Sequence, residues 1–376
     1  MIYTVLCTAA DDTARWQAEL LEYSWGRARQ PGELVHLVAC AAPQRLPRHR
    51  LARVVGTMRW SPHPYTGDCY PAYDTAASLL EWLFTERIDG TILLVQPDCV
   101  FRAPLPTEVE PGQARATAWP DFPHAGSGPF GLGAQLAFLE RFCVDRTLEL
   151  PRVTPPLLIH AHDLRRLAAR WLELMSIVRE ETAASGQSRL DDADAIAYAI
   201  AAAEAGVAHT TVDLCADTDT GAGPNQSPLL RYRRPIVSPR GAIVWDERAY
   251  ESWAAVEPQR AAPGNGREFL TLLGEYVARR ASGGELAFLR PRRRPGIRIG
   301  RVLDRTLLEI PGRSDTFSLN PSAAAIWDLC DGSRSLADVG SELESRFEMA
   351  PGALAGDIQS VIDRLESAGA IDLEPA

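Results

Sequence analysis

The residue types best suited to chemistry gather at one predicted strand end. Thr91–Pro106 reads TILLVQPDCVFRAPLP. Ile92 to Val95 is a short apolar run that suits a strand buried on both faces; Gln96-Pro97-Asp98 breaks it, and Val100-Phe101 resumes it before Pro104 and Pro106. A carboxylate at the end of a buried strand is where open α/β sheets place ligand chemistry, which makes Asp98 a candidate; the same triplet also reads as a polar turn after a core strand. A second acidic group, Asp191, Asp192 and Asp194, heads a predicted helix over Arg189–Gly206. The helix dipole alone favours acids in a first turn, and the functional reading is that one of them reaches the site. His160-Ala161-His162 sets two imidazoles at i and i+2, a spacing that can share a metal from a strand but more often marks a polar strand end. His36, inside the apolar run Leu34–Cys40, reads as a satisfied core histidine.

These groups need a scaffold, and the apolar periodicity supplies one. Ile2–Cys7 and Leu34–Cys40 read as buried strands, with an amphipathic helix between them over Thr13–Gly26 carrying Trp16, Leu20, Leu21 and Trp25. Val54-Val55 and Met58 suggest a third strand, and Asp68–Phe84 a helix that delivers the chain to Ile92. Ala116–Trp119 suggests another strand, Leu157–Ile159 an apolar run behind Pro155-Pro156, and Asp163–Glu181 and Glu268–Ala281 further helices. Strands alternating with helices predict an α/β fold: a mostly parallel sheet flanked by helices, with right-handed crossovers. The Gly/Pro-rich stretch Asp121–Leu132 lacks phosphate-loop spacing and reads as a flexible wall of a site.

Composition then shifts. Residues 282–296, SGGELAFLRPRRRPG, read as a linker between a first domain over 1–281 and a second over 297–376. In the second, a hairpin is expected about Asp304-Arg305, then a short strand over Thr316–Leu319 and three helices, Pro321–Cys330, Leu336–Phe347 and Leu354–Ser367.

The 376 residues suffice for two domains with sizeable cores. A net charge of −10 argues against a general nucleic-acid binder, and no run approaches the roughly 18 apolar residues of a membrane span. The start, MIYTVLCTAADD, lacks the basic and apolar regions of a secretory signal. Seven scattered cysteines, never in CxxC spacing, fit reduced thiols, so a cytoplasmic protein is expected. All 39 basic residues are arginine, a composition that hints at a GC-rich bacterial genome.

LNPSAAAIWDLCDGSRSLADVGSELESRF, followed by DIQSVIDRLESAGAIDL, resembles PqqD-like peptide-recognition domains, small winged helix-turn-helix units that bind the leaders of ribosomally made, modified peptides. The resemblance implies leader binding by β-augmentation along Asp315, Thr316, Phe317, Ser318 and Leu319, over a groove lined by Ile358, Val361 and Leu365. A winged helix for DNA is opposed by the acids of the last two helices, among them Glu342, Glu344, Asp357, Asp363 and Glu366.

The first domain resembles hydroxyproline O-arabinosyltransferases and peptidyl-serine galactosyltransferases. The collinear pieces are TVLCTAADDTARWQAELLEYSW, SLLEWL, ILLVQPDCVFRAPLP, DADAIAYAIAAAEAGVAH and VWDERAYESW. It implies a GT-A fold, a nucleotide-sugar donor of UDP type, transfer with retention and a peptide hydroxyl acceptor. It also implies catalytic roles for Asp98 and Asp194, with Thr8, Asp74, Gln96, Asp98, Arg231 and Arg233 around the donor. A leaving diphosphate calls for Mn²⁺, Mg²⁺ or arginines. This chain has Gln96 for one acid of the family's strand-end turn, Cys99 for its histidine, and Arg231 where a second, metal-ligating histidine is expected. Three readings stand: Asp98 holds a cation with water and phosphate oxygens, or Arg231, Arg233 and Arg234 neutralise the diphosphate, or catalysis is lost and the chain is an adaptor that presents a precursor peptide to another enzyme.

Overall fold

A computed structural model describes residues 1–40, 46, 47, 49, 51–118, 150–184, 192–218, 227–237, 243–247, 264–281, 289–311, 316–350 and 353–375. Residues 121–132, Asp191 and Asp315 lie outside this set. The chain divides into two units, Met1–Leu272 and Leu273–Ala376.

The first unit opens with β1 (Ile2–Ala9), α1 (Asp12–Arg27), β2 (Glu33–Cys40), β3 (Arg53–Met58), α2 (Ala72–Thr85) and β4 (Thr91–Val95). There follow β5 (Cys99–Phe101), β6 (Gln113–Ala118), β7 (Val153–His160), α3 (Ala161–Ala184), α4 (Ala193–Glu204) and β8 (Ala208–Thr211). The unit continues through β9 (Cys215–Asp217), β10 (Leu229–Arg231), β11 (Ile236–Val237), β12 (Ile243–Trp245) and into α5 (Gly264–Ala281). Among the described residues, seven strands form one sheet in the order β3-β2-β1-β4-β7-β6-β8. Every neighbouring pair is parallel except the two that involve β7, so the fold is α/β with a large, mostly parallel sheet.

The pleat of β4 explains its continuous apolar run. Ile92 and Leu94 join a core with Tyr73, Leu79 and Trp82 of α2 and Leu164 and Leu167 of α3, while Leu93 and Val95 pack on the other face with Ala18 and Leu21 of α1. Both faces are covered, so neither can be polar. Asp11 caps α1 by accepting from the Ala14 amide at 2.7 Å. His36 is the core histidine expected: its Nε2 lies 2.8 Å from Thr8 Oγ1 and its Nδ1 3.0 Å from His49 Nε2.

The second unit holds β13 (Leu289–Arg293), β14 (Arg298–Val302), β15 (Arg305–Glu309), β16 (Thr316–Leu319), α6 (Pro321–Leu329), α7 (Leu336–Arg346), α8 (Ala355–Ala368) and β17 (Ile371–Pro375). β14, β15 and β16 form an antiparallel sheet in that order. The division falls at Leu272/Leu273, inside α5, and the stretch read as a linker over 282–296 contains β13, paired antiparallel with β17. Its Arg/Pro composition hides a period-two pattern in which Leu289 and Pro291 are buried between exposed Arg290 and half-buried or exposed arginines.

The helices of this unit are cut by their own caps. Asn320 accepts from the Ala323 amide at 2.8 Å ahead of Pro321, Ser335 and Asp338 form a reciprocal capping box, and Gly369 ends α8 at φ 90°. Ser335→Ala is expected to destabilise this unit by about 1 kcal/mol, read as a lower melting midpoint that Ser335→Asp restores. Among the described residues no helix is long and apolar enough to cross a membrane.

Candidate active site

β1 leads through β2 to β3 on one side of the sheet, and β4 begins the other side. The crevice beyond the carboxyl ends of β1 and β4 is therefore the point where the strand order reverses. Asp98 follows β4 there, and Thr8 lies near the end of β1.

Asp98 is buried, and its turn is fixed from below. The Tyr232 amide donates to the Asp98 carbonyl at 2.9 Å, and the Tyr232 hydroxyl donates to the Pro97 carbonyl at 3.1 Å. Tyr232 is held in turn by aromatic packing: its ring stacks on Phe269 with centroids 4.5 Å apart, and Trp245 meets both rings edge-on at 5.5 and 5.0 Å. Burial pushes the Asp98 carboxyl above its ordinary range, and the charges of Arg231 and Arg233 pull against that.

Arg231 ends β10, which runs between β5 and β9, and its register partner across β5 is Cys99. Its Nε donates to Asp217 Oδ1 at 2.9 Å. The Thr218 amide donates to the Arg231 carbonyl at 3.0 Å, and Asn265 Nδ2 lies 3.3 Å from the Asp217 carbonyl. Arg233 is exposed, and its charge acts on both Asp98 and Glu247. The charges of Arg231 and Arg233 thus act on Asp98, two residues after Gln96.

The structure adds Glu247, Asp217 and Asn265, which sequence reasoning did not single out. The VWDERAYESW resemblance pointed to the segment of Glu247 but to no residue in it. Gln17 Nε2 donates to Glu247 Oε1, while Glu247 Oε2 is buried without a hydrogen-bond partner. Gln96 Oε1, Asn265 Oδ1 and Thr218 Oγ1 are likewise buried and unpartnered. Burial first, then the nearby Asp98 charge, pushes the Glu247 carboxyl up to about 7. The folded protein therefore keeps a proton on Glu247 between pH 4.5 and about 7 that the unfolded chain releases, so this group favours folding less as pH rises through that window. Glu247→Gln is expected to melt higher than the parent above pH 7, with the gap closing as pH falls toward 4.5.

The other expected donor-site residues have different settings. Thr8 Oγ1 bonds His36, and the chain continues through His49 to Glu22 Oε2, 3.0 Å from His49 Nδ1. Asp74 Oδ1 accepts from the backbone amides of Trp60 and Ser61 at 2.6 and 2.9 Å, so it builds the loop after β3. Asp194 Oδ1 accepts from the Tyr70 hydroxyl at 2.8 Å. The Arg179 guanidinium lies 4.0 Å from the Tyr70 ring centroid and is paired with Asp68. Burial raises the Asp194 carboxyl, partly offset by the Tyr70 bond. His160 ends β7 and His162 lies in the first turn of α3, with the His162 amide donating to His160 Nδ1 at 3.2 Å.

Among the described residues the site offers a divalent cation few anionic oxygens. Among the described residues no three His, Cys, Asp or Glu gather to hold a metal. Asp217 is engaged by Arg231, Gln96 is an amide, and a bond with Cys215 together with burial pushes the Cys99 thiol up.

In the second unit β16 pairs with β15 on one side only, among the described residues. Thr316 is exposed and Phe317 and Ser318 are half-buried along it, with the Arg364 guanidinium 5.5 Å from the Phe317 ring centroid. Ile358 and Leu365, expected to line the groove, are instead core residues, 4% and 0% exposed, and so is Leu319. The positions 358, 362 and 365 form the stripe that α8 buries; Val361, one step around, is half-buried.

Residues 306–371 match the family model described as "Coenzyme PQQ synthesis protein D (PqqD)". Over 226 residues, 56% of this chain, the N-terminal region is 28% identical to "Peptidyl serine alpha-galactosyltransferase" of Arabidopsis thaliana. The chain spans about a quarter of that relative's length, 27%. It is also similar to the solution structure of the PqqD truncation of Methylobacterium extorquens PqqCD, titled a stand-alone recognition element for ribosomally synthesised, modified peptides. That match is 23% identical and covers 24% of this chain and 92% of the other, with a TM-score of 0.21. This chain therefore joins a region similar to a peptidyl serine galactosyltransferase to a C-terminal segment, residues 306–371, that matches the PqqD model.

Proposed function

We propose that the protein is a peptide O-glycosyltransferase of a bacterial pathway for ribosomally made peptides. It moves a sugar from a UDP-sugar to a Ser, Thr or hydroxyproline hydroxyl of a precursor whose leader the C-terminal domain holds, with retention of anomeric configuration. The observation that carries this reading is the joining, in one chain, of a region similar to a peptidyl serine galactosyltransferase with a C-terminal segment that matches the PqqD model. The mostly parallel sheet, with an acid and two arginines at its switch point, supports a GT-A reading of the first unit. Leader capture raises the local concentration of the acceptor peptide at the sugar site, which allows weak contacts with the core sequence to suffice.

Each side chain then has a task. Arg231 and Arg233 face the departing diphosphate, the buried acceptor oxygens of Gln96, Asn265 and Glu247 suit hydroxyl donors of a sugar, and Asp98 anchors the group between them. The test is mass spectrometry of a precursor peptide encoded beside this gene, incubated with the full-length protein and a panel of UDP-sugars. A pentose or hexose mass on a hydroxyl residue is expected. No adduct, together with no binding of any nucleotide sugar, would return the adaptor reading.

A further inference from the structure

We propose that the donor's diphosphate is neutralised in this protein by the guanidinium groups of Arg231 and Arg233, without a divalent cation. This rests on the transferase reading above and extends it to how the leaving group is held.

Position comes first. Arg231 pairs in register with Cys99, the residue after Asp98, and the next residue, Tyr232, donates its amide to the Asp98 carbonyl at 2.9 Å. The guanidinium-bearing strand is thus locked to the acid-bearing turn by backbone bonds, which leaves Arg231 little freedom to vacate the site. Its Nε is committed to Asp217 Oδ1, and that bond aims the remaining fork.

Charge comes second. At phosphate-binding sites Mg²⁺ or Mn²⁺ is held by one or two protein carboxylates together with waters and the substrate's phosphate oxygens. Of the oxygens near Asp98, those of Asp217 already balance Arg231, Gln96 offers an uncharged amide, and Glu247 keeps its proton up to near neutral pH. Asp98 alone would face a dication, beside the two arginine charges that already act on it. The same two charges suit a diphosphate, because arginine stays ionised and binds phosphate oxygens in a bidentate fork.

The step balances without a metal. The bond from the anomeric carbon to the β-phosphate oxygen breaks with its electron pair going to that oxygen. The peptide hydroxyl oxygen bonds to the same carbon, and the hydroxyl proton goes to the departing phosphate. The charge that builds on the diphosphate falls beside two fixed cations.

Calorimetric titration of the full-length protein with UDP, GDP, ADP and dTDP tests this, first in EDTA and then in excess Mn²⁺ or Mg²⁺. The best-bound diphosphate is expected to keep its Kd within about twofold between the two buffers. Arg231→Ala and Arg233→Ala are each expected to weaken it by about 10- to 100-fold in EDTA, and Arg231→Lys to recover only part of the loss. Arg231 also holds Asp217, so its variants are melted alongside; exposed Arg233 supplies a variant whose folding is not in question. Binding that needs the cation, or binding indifferent to both alanine replacements, overturns the inference and leaves the transferase reading standing. No binding of any diphosphate in either buffer overturns both.

Discussion

Asp98→Asn is expected to slow sugar transfer by about 10²–10³-fold while leaving the protein as stable as its parent, or more so. Asparagine keeps the shape of the buried side chain, and the Tyr232 bond goes to the backbone carbonyl, so the turn survives the change. What is lost is the carboxylate on which the charges of Arg231 and Arg233 act, and with it a fixed charge beside the guanidinium groups. The stability effect has a definite sign. Burial raises the folded-state affinity of Asp98 for a proton, so the group favours folding most below the unfolded value of 3.8 and less as pH rises through its folded value. The asparagine variant should therefore gain on its parent with rising pH in thermal melts, while single-turnover transfer collapses at every pH. Undiminished transfer would remove Asp98 from the reaction; a fall in transfer matched by a fall in melting temperature would make it a structural acid.

The parts of this molecule that were readable in the sequence are those with long periodicity or strong punctuation. β4 declared itself because four apolar residues in a row, Ile92 to Val95, need cover on both faces, and α1, α7 and α8 because their apolar stripes end at recognisable caps. Asp98 was legible because a Pro-Asp turn follows a buried strand. β5, β9 and β10 were not, since three residues carry no period, yet these strands bring Arg231 to Asp98. Arg231 and Arg233 entered only through resemblance. Glu247 had no sequence signal beyond an aromatic-acidic stretch, because its raised proton affinity arises from burial and from Asp98, far away in the chain. In α8 the period was right and the assignment of faces was wrong: Ile358 and Leu365 belong to the stripe that a small unit must spend on its own core. Asp74 is an acid of suitable type whose Oδ1 accepts from the Trp60 and Ser61 amides, a contact no local pattern encodes.

Trp327→Ala is expected to destabilise the second unit by about 3–5 kcal/mol, a large share of what a domain of this size possesses. Trp327 is fully buried on α6, in a core with Leu308, Val339, Ile362, Leu365 and Ile371. β13 is strapped to the end of the same helix by the Arg293 amide, which donates to the Cys330 carbonyl at 3.0 Å, and the Arg293 guanidinium lies 5.6 Å from the indole centroid. Emptying this position leaves a cavity touched by the sheet and all three helices, so the unit should lose its near-ultraviolet dichroism and its protease resistance. Trp327→Phe separates packing from polarity. The indole Nε1 is buried without a partner, so phenylalanine removes an unmet donor along with some volume and should cost far less. The functional consequence discriminates between roles for this unit. If it recruits the precursor through β16, Trp327→Ala slows modification of the leader-bearing peptide and leaves modification of a leaderless core peptide unchanged. Equal slowing of both substrates would tie the unit to the chemistry itself, and unchanged modification of the full precursor by a protein whose second unit is demonstrably unfolded would end the recruitment idea.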